Sequence, residues 1–106
     1  MKSDDVLLAQ VRDAITKIER FTSGMSEVGF RQDEKTQSAV IMQLALIGEL
    51  AKRISPKTKE TIMLPWKEIA GFRDNAIHDY FDIDLAIVWN TVQIDLPELK
   101  DALKEA

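Results

Sequence analysis

The sequence predicts an all-α protein, an antiparallel bundle of four to five helices joined by short connections. Over long segments, apolar residues recur at spacings of three and four, which is the period of an amphipathic helix. Aspartate, glycine, serine and proline stand where these segments begin or end, as they do at helix ends and in turns. No segment shows a convincing strand pattern, so the prediction contains helices alone.

The first half of the chain is predicted to form two helices. The first runs from about Asp4 to Phe21, after which the segment TSGMSEVGF breaks the pattern with two glycines and two serines. The second begins at Asp33, a favourable N-cap, and continues to Ile54, just before the proline of ISP. It carries two apolar stripes, and a helix of that kind is either central in a bundle or shared with a partner. One stripe comprises Val40, Leu44, Ile47, Ala51 and Ile54, and the other comprises Ala39, Met42, Leu46 and Leu50.

The second half is predicted to contain a connector and two further helices. The segment PKTKETIML is a connector with room for one short turn. The third helix runs from Pro65, which suits a first helical turn, to Phe81. The fourth begins after the aspartate cap in DID and carries apolar residues to Leu103. Pro97 is expected to kink or split this helix near Asp95, because proline lacks the N–H that a helix interior requires.

Composition limits the classes of function. The chain has 106 residues, 45% hydrophobic and 30% charged, which fits one globular domain over residues 1–106. It has no cysteine, so disulfide and thiolate chemistry are excluded and the cytoplasm is the expected location. Early charges argue against a signal peptide, and no apolar run reaches membrane length. The net charge of −4 argues against broad nucleic-acid binding but allows a small cationic cleft.

The candidate site lies in the segment GFRDNAIHDYF, residues 71–81, within the third helix. An arginine on the apolar side of that helix needs an anion, and Glu49 on the second helix is a candidate partner for Arg73. On a helical wheel, the positions within about 80° of Arg73 are Trp66, Ile69, Ala70, Ala76, Ile77, Tyr80 and Phe81. His78, the only histidine, lies about 140° away on the polar face with Gly71, Asp74 and Asn75.

The residues near His78 have a functional and an ordinary interpretation. Asp74, four residues earlier, is close enough to orient the imidazole or to stabilise its charged form. Gly71 costs about 1 kcal/mol relative to alanine, and such a glycine often marks close approach by a backbone or a ligand. However, a lone histidine on a polar face is usually solvated, and Tyr80 is equally a core aromatic with a wet hydroxyl. These residues alone leave both interpretations open.

Longer stretches of the sequence resemble a known family. The segments AVIMQLALIGELAKRIS, LPWKEIAGFRDNAIHDYFDIDLAIVW and DLPELKDAL are similar to the HepT-like branch of the HEPN superfamily, and the resemblance extends from DDVLLAQVRDAITKIERFTSG onward. Its most specific parts are the IGE of the second helix, the PW before the third, and the Arg-x4-His-x-Tyr element. The resemblance implies an all-α, usually dimeric toxin, similar to metal-independent endoribonucleases. It also implies a partner antitoxin that is a minimal nucleotidyltransferase.

The family pattern further implies roles for single residues. The arginine, the polar residue after it and the histidine that carry RNA cleavage correspond to Arg73, Asp74 and His78. Aspartate departs from the usual asparagine at that second position and adds negative charge beside the incoming phosphate. Tyr80 corresponds to the tyrosine to which the antitoxin attaches AMP. Asn75 and Glu49 are expected to support the site.

Metal-independent RNA cleavage needs a base for the 2′-hydroxyl, an acid for the leaving 5′-oxygen, and a cation for the phosphate. One histidine per chain cannot supply both acid and base, whereas a two-fold homodimer brings two copies of His78 and Arg73 to one groove. No metal or cofactor is expected, since one histidine and no cysteine leave only unclustered carboxylates as ligands. The alternatives are a non-catalytic module that binds nucleotide or partner for a nucleotidyltransferase, and a purely structural dimer.

Overall fold

The computed structural model describes residues 3–104, which form helices and connecting turns and contain no strand. The α-helices are α1 (Asp4–Thr22), α2 (Glu27–Arg31), α3 (Glu34–Arg53), α4 (Pro56–Thr61), α5 (Trp66–His78), α6 (Leu85–Asn90) and α7 (Leu96–Lys104). A 3₁₀ turn, Tyr80–Asp82, follows α5, and a stretch of π-helix, Thr91–Asp95, joins α6 to α7. The all-α prediction is confirmed for these residues. None of the helices described combines the length and the apolar character needed to cross a membrane.

The long helix α3 begins and ends where the sequence predicts. Asp33 caps it by accepting a hydrogen bond from the backbone N–H of Thr36 at 3.0 Å, and this bond lowers the pKa of the Asp33 carboxyl. Ile54 ends the helix with extended backbone shortly before Pro56. Before α3, the chain turns at Gly24, whose positive φ of 76° is a conformation that glycine adopts without strain.

Two sequence-based boundaries need correction. The segment TSGMSEVGF is not wholly irregular, because it leads into α2, whose N-cap Ser26 accepts a hydrogen bond from the N–H of Gly29 at 3.0 Å. The third predicted helix ends at His78 and not at Phe81. Asp79 leaves helical geometry with φ −114° and ψ 19°, and the next residues form the separate 3₁₀ turn.

The helix α3 is the centre of the fold, since it packs against α1 on one side and α5 on another. The first predicted apolar stripe of α3 is buried, together with Leu7, Val11, Ile15 and Ile18 of α1. The second stripe is not buried, because Met42 and Leu46 remain 59% and 44% exposed. Central position is therefore confirmed, but α3 also leaves apolar surface uncovered.

The last helix is irregular immediately before Pro97, as predicted. Residues 91–95 widen into π-helix, and the N–H of Leu96 reaches back to the carbonyl of Thr91. Proline offers no N–H to the carbonyl four residues earlier, and its ring crowds that carbonyl, so a wider turn at this point relieves the conflict. The chain then continues as α7, which buries Leu99 and Leu103.

Hydrogen bonds of Asp4 and Trp66 attach α1 and α5 to the short helix α4. The Asp4 carboxylate accepts hydrogen bonds from the hydroxyls of Ser55 and Thr58, which join the start of α1 to the start of α4. The indole N–H of Trp66 donates to the carbonyl of Ile62 at 2.9 Å, which joins the start of α5 to the end of α4. The PW pair therefore fixes the place where α5 begins.

Candidate active site

The crossing of α3 and α5 is set by Gly48, the glycine of the IGE segment. A Cβ atom at residue 48 would lie 2.5 Å from the backbone nitrogen of Arg73 and 3.0 Å from the carbonyl oxygen of Ala70. Only glycine allows two backbones to approach this closely, and the approach fixes Arg73 at the crossing point. The close approach predicted at Gly71 is absent within the described chain, because a Cβ atom there meets nothing within 4 Å.

Arg73 lies at the centre of a chain of ion pairs. Its Nε is 3.4 Å from Glu49 Oε2, and its Nη1 is 3.5 Å from Asp74 Oδ1. Each carboxylate has a second cation, since Arg53 Nη2 lies 3.3 Å from Glu49 Oε1 and Lys52 Nζ lies 2.8 Å from Asp74 Oδ1. Three cations thus face two carboxylates, a local positive excess on a chain of net charge −4. The predicted pairing of Arg73 with Glu49 is confirmed.

The guanidinium of Arg73 is half-exposed, with 40% of its side-chain surface accessible. Pairs at this exposure contribute at most about 1 kcal/mol each, so the network orients side chains more than it stabilises the fold. The carboxylate contacts of Arg73 lie at Nε and Nη1. A guanidinium carries five N–H donors in one plane, so the N–H groups beyond these contacts can bind a phosphate.

Asp74 is held by Lys52 rather than by His78. The hydrogen bond from Lys52 lowers the pKa of the Asp74 carboxyl, and the Arg73 guanidinium acts in the same direction. Asp74 is therefore an anion at neutral pH. The predicted contact between Asp74 and His78 is not formed, because the carboxylate turns to the two cations instead.

His78 is exposed and is the last residue of α5. On the helical wheel it lies about 180° from Ile69, which faces the core, so His78 lies on the outer side of α5. It has no hydrogen bond or ion pair with the described residues 3–104. The polar-face position predicted for His78 is confirmed, and its imidazole is accessible to a substrate or to a second chain.

Tyr80 lies beyond α5, in the 3₁₀ turn. Its hydroxyl is 3.1 Å from Ser38 Oγ on α3. Ser38 and Glu49 lie on the same side of α3, since eleven residues return a helix to within about 20° of its starting direction. Tyr80 and Arg73 therefore flank one face of the molecule. Ser38 precedes Glu49 along the chain, whereas its partner Tyr80 follows Arg73, the partner of Glu49. The helices α3 and α5 are therefore antiparallel.

The apolar side predicted for the third helix is only partly buried. Ile69 and Ala76 are buried, but Ile77 is 59% exposed, Tyr80 is 43% exposed and Phe81 is 97% exposed. The interpretation of Tyr80 as a core aromatic is wrong, because α5 ends before Tyr80 and the helical wheel does not continue to it. Ile77 does belong to the helix, but it lies on a side that α3 does not cover.

Asn75 lies on the opposite side of α5, about 200° from Arg73. It lines a cleft of about 370 Å³ that α3, α5 and α6 enclose with apolar side chains, and Asp79, Asp82 and Asp84 stand among its lining residues. Asn75 is therefore not brought together with Arg73 and Glu49. Among residues 3–104, no group of three or more carboxylate or imidazole side chains is arranged to hold a metal ion.

Sequence reasoning missed the contacts that three residues make at this site: Gly48, Lys52 and Ser38. Gly48 and Lys52 are four residues apart and share the face of α3 toward α5. The glycine of IGE could therefore have indicated that this face contacts another helix. Ser38 offered no signal, because its contact with Tyr80 depends on where α5 ends.

Comparisons with known proteins agree on one family. The chain matches the family model described as "Ribonuclease HepT-like" over residues 11–106. It is 43% identical over 94 residues to a protein of Thermococcus cleftensis named "Probable ribonuclease HepT", and the alignment covers 88% of this chain and 86% of the relative. It is 34% identical over 103 residues to a Methanocaldococcus jannaschii protein named "Gamma-glutamylcyclotransferase and putative RNase", covering 96% of this chain but 46% of that protein. No solved structure matches the chain.

The helical fold and the exposed Arg-x4-His-x-Tyr element are those of a HEPN protein. The family match and the 43% identity are more specific. The chain belongs to the HepT-like ribonuclease family.

Proposed function

We propose that this protein is a metal-independent endoribonuclease that acts as a homodimer and serves as the toxin of a toxin–antitoxin pair. The observation that carries the proposal is the exposed surface of α5, where the Arg73 side chain is 40% exposed and His78 has an imidazole with no partner in residues 3–104. The names of the relatives, which include ribonuclease and RNase, support the activity.

Arg73 binds the scissile phosphate in this proposal. The exposed N–H groups of the guanidinium meet the phosphate oxygens, while Glu49 holds the Nε side. Lys52 of α3 adds a second cation beside Arg73. Its Nζ lies 2.8 Å from Asp74 Oδ1 and neutralises that carboxylate. Asp74 is therefore a positioning residue that orients Arg73 and Lys52, rather than a proton donor.

His78 moves the protons. One imidazole accepts the proton of the 2′-hydroxyl, whose oxygen attacks phosphorus, and a protonated imidazole donates to the departing 5′-oxygen. The products are a 2′,3′-cyclic phosphate and a 5′-hydroxyl. Because each chain has one histidine, the second imidazole comes from a second copy of the chain.

An uncovered apolar face supports the homodimer. This Met42 face comprises Met42, Leu46 and Ile77, which are 59%, 44% and 59% exposed. It lies between the Arg73–Glu49 pair and the Tyr80–Ser38 contact, on the side of α5 that α3 leaves open. Contiguous exposed apolar residues beside a polar network are typical of a protein interface. Pairing two such faces about a two-fold axis brings the two α5 helices, and with them the two imidazoles, to one groove.

Tyr80 is the proposed site of silencing by AMP. Its side chain is accessible, and its hydroxyl shares one hydrogen bond, with Ser38. Transfer of AMP from ATP to the Tyr80 oxygen, with release of pyrophosphate, adds a bulky anion on the face that Arg73 also flanks. The modified tyrosine then occupies the cationic groove and excludes RNA. A partner nucleotidyltransferase is the expected enzyme for this transfer.

Cleavage of single-stranded RNA in the presence of a chelator tests the nuclease. The wild-type protein is expected to leave 2′,3′-cyclic phosphate ends, and Arg73→Ala and His78→Ala should each lose about 100-fold or more in rate. Lys104→Ala, which removes an exposed cation of α7, is the matched control and should retain activity. Binding of RNA without cleavage would instead support the non-catalytic binding module.

Co-expression with the nucleotidyltransferase encoded beside it tests the modification. Mass spectrometry should find AMP on the Tyr80 peptide, and Tyr80→Phe should remain toxic in its presence. Ser38→Ala is the control, because it removes the same hydrogen bond but keeps the tyrosine oxygen, and it should still be silenced. Neutralisation of Tyr80→Phe would show that the partner acts by binding alone.

A further inference from the structure

We infer that Phe81 is a stacking platform for a nucleobase of single-stranded RNA next to the cleavage site, an inference that rests on the proposed function. Phe81 is 97% exposed, more than any other large hydrophobic side chain in residues 3–104. It lies three residues after His78, at the end of the helix that carries the proposed reaction. An aromatic ring left in water at such a place is available to a planar ligand.

The ring of Phe81 is held in place although it is exposed. The 3₁₀ turn is closed by a hydrogen bond from the N–H of Asp82 to the carbonyl of Asp79 at 2.9 Å. The Phe81 and Tyr80 rings meet edge to face, with centroids 5.5 Å apart and planes at 86°. Tyr80 is itself attached to α3 through Ser38. Phe81 is thus positioned before a ligand arrives, which lowers the entropic cost of stacking.

The charges of the turn favour a base over a phosphate or a second copy. Asp79 and Asp82 flank the aromatic pair, and neither has an ion-pair partner in residues 3–104. Carboxylates repel phosphate, and a two-fold contact here would bring them against their own copies. A nucleobase instead offers N–H groups that carboxylates accept. The Met42 face consists of three apolar side chains without charge. It is therefore the surface that suits a second copy.

The placement also fits the path of the RNA. Arg73 and His78 are about 7.5 Å apart along α5, so the scissile phosphate lies near the C-terminal half of the helix. Phe81 stands just past that end, where a base of a neighbouring nucleotide reaches it. Proteins recognise single-stranded RNA largely by splaying bases onto aromatic rings, whereas paired bases stay inaccessible within a duplex.

Binding of a fluorescently labelled single-stranded RNA to His78→Ala protein, which cannot cleave, tests this inference by anisotropy. Adding Phe81→Ala or Phe81→Leu should weaken binding roughly tenfold, because both lack an aromatic face, whereas Phe81→Trp should bind within about twofold. Met63→Ala, which removes an 86% exposed apolar side chain before the start of α5, is the control and should bind unchanged. A set of RNAs with one abasic nucleotide each should reveal one position whose loss weakens binding with Phe81 present and not with Phe81→Ala.

The outcomes separate the inference from the nuclease. Wild-type cleavage together with full binding by Phe81→Leu would overturn stacking and leave the nuclease standing. Dissociation of the dimer by Phe81→Leu in sedimentation would overturn it as well, by making Phe81 a contact with the second copy. Phe81-dependent binding without any wild-type cleavage would support stacking and refute the nuclease. Absence of RNA binding by the His78→Ala protein would overturn stacking, and it would overturn the nuclease as well only if the wild type also fails to cleave.

Discussion

The helix α3 makes two different kinds of contact, one with α1 and one with α5. Toward α1 the contact consists of large apolar side chains, and Ile15, Ile18 and Ile47 are each at most 1% exposed. Toward α5 it combines the buried side chains of Ile69 and Ala76 with a close backbone approach at Gly48, bordered by ion pairs. The helix α1 buries seven of its 19 residues, whereas α5 buries two of its 13. We therefore expect the first contact to stabilise the fold through apolar burial and the second to position the side chains of the candidate site.

The largest effect is expected from Ile15→Ala on the α1 side. Ile15 is 1% exposed, and truncation should lower the free energy of unfolding by about 2–5 kcal/mol through lost burial and a cavity. Urea denaturation measures the loss. RNA cleavage per folded molecule should stay near the wild-type rate, because α1 does not touch α5's outer face. A loss of rate far beyond the loss of folded protein would contradict the division between the two sides.

Gly48→Ala should have the next largest effect, and it changes the contact between α3 and α5. The added Cβ would sit 2.5 Å from a backbone nitrogen, so α5 must shift, at a cost of about 1–3 kcal/mol. Here cleavage should drop more than stability explains, because Arg73 moves with the helix. Denaturation and kinetics on the same preparation separate the two effects. Wild-type kinetics in this variant would show that the close approach does not position the site.

Gly71→Ala is the matched substitution and should act in the opposite direction. Gly71 is inside α5 with no atom near its added Cβ, so alanine should raise the free energy of unfolding by about 0.5–1 kcal/mol. Thermal unfolding of dilute, monomeric protein checks this. If dimerisation weakens at the same time, the second copy lies against Gly71, which would locate the interface more sharply.

The smallest expected effect is a change in acid stability from Asp4→Asn. Hydrogen bonds from Ser55 and Thr58 lower the pKa of the Asp4 carboxyl below its ordinary value of 3.8. A lowered folded pKa means that the ionised carboxylate contributes stability above pH 3.8 and that this contribution is lost as pH falls through the folded value. Wild type should therefore lose stability on acidification more steeply than Asp4→Asn. Asp5→Asn, an exposed neighbour, serves as control, and equal pH slopes for all three proteins would contradict the role of Asp4.

The sequence predicted the helices more reliably than their contacts. Asp33 and Pro56 mark the two ends of α3, and Pro97 marks the irregularity between α6 and α7. The structure has these features where the sequence predicts them. The end of α5 was missed because neither glycine nor proline stands near Asp79, and the aspartates around it end the helix only weakly through low propensity.

Only some contacts of the candidate site were predicted. The outward direction of His78 follows from helical periodicity, and the Arg73–Glu49 pair was expected because an arginine on an apolar side needs an anion. Which glycine meets a neighbouring backbone depends on how two helices cross, and periodicity within one helix does not contain that information. The capture of Asp74 by Lys52 depends on the same crossing.

The most direct test of the account is a mixing experiment with wild-type and His78→Ala chains, refolded together in varying proportions. If each active unit needs the imidazoles of two chains, activity should fall with the square of the wild-type fraction, to about a quarter at equal mixing. If one chain suffices, activity should fall in proportion, to about half. We expect the quadratic curve, and a straight line would contradict a site formed by two α5 helices.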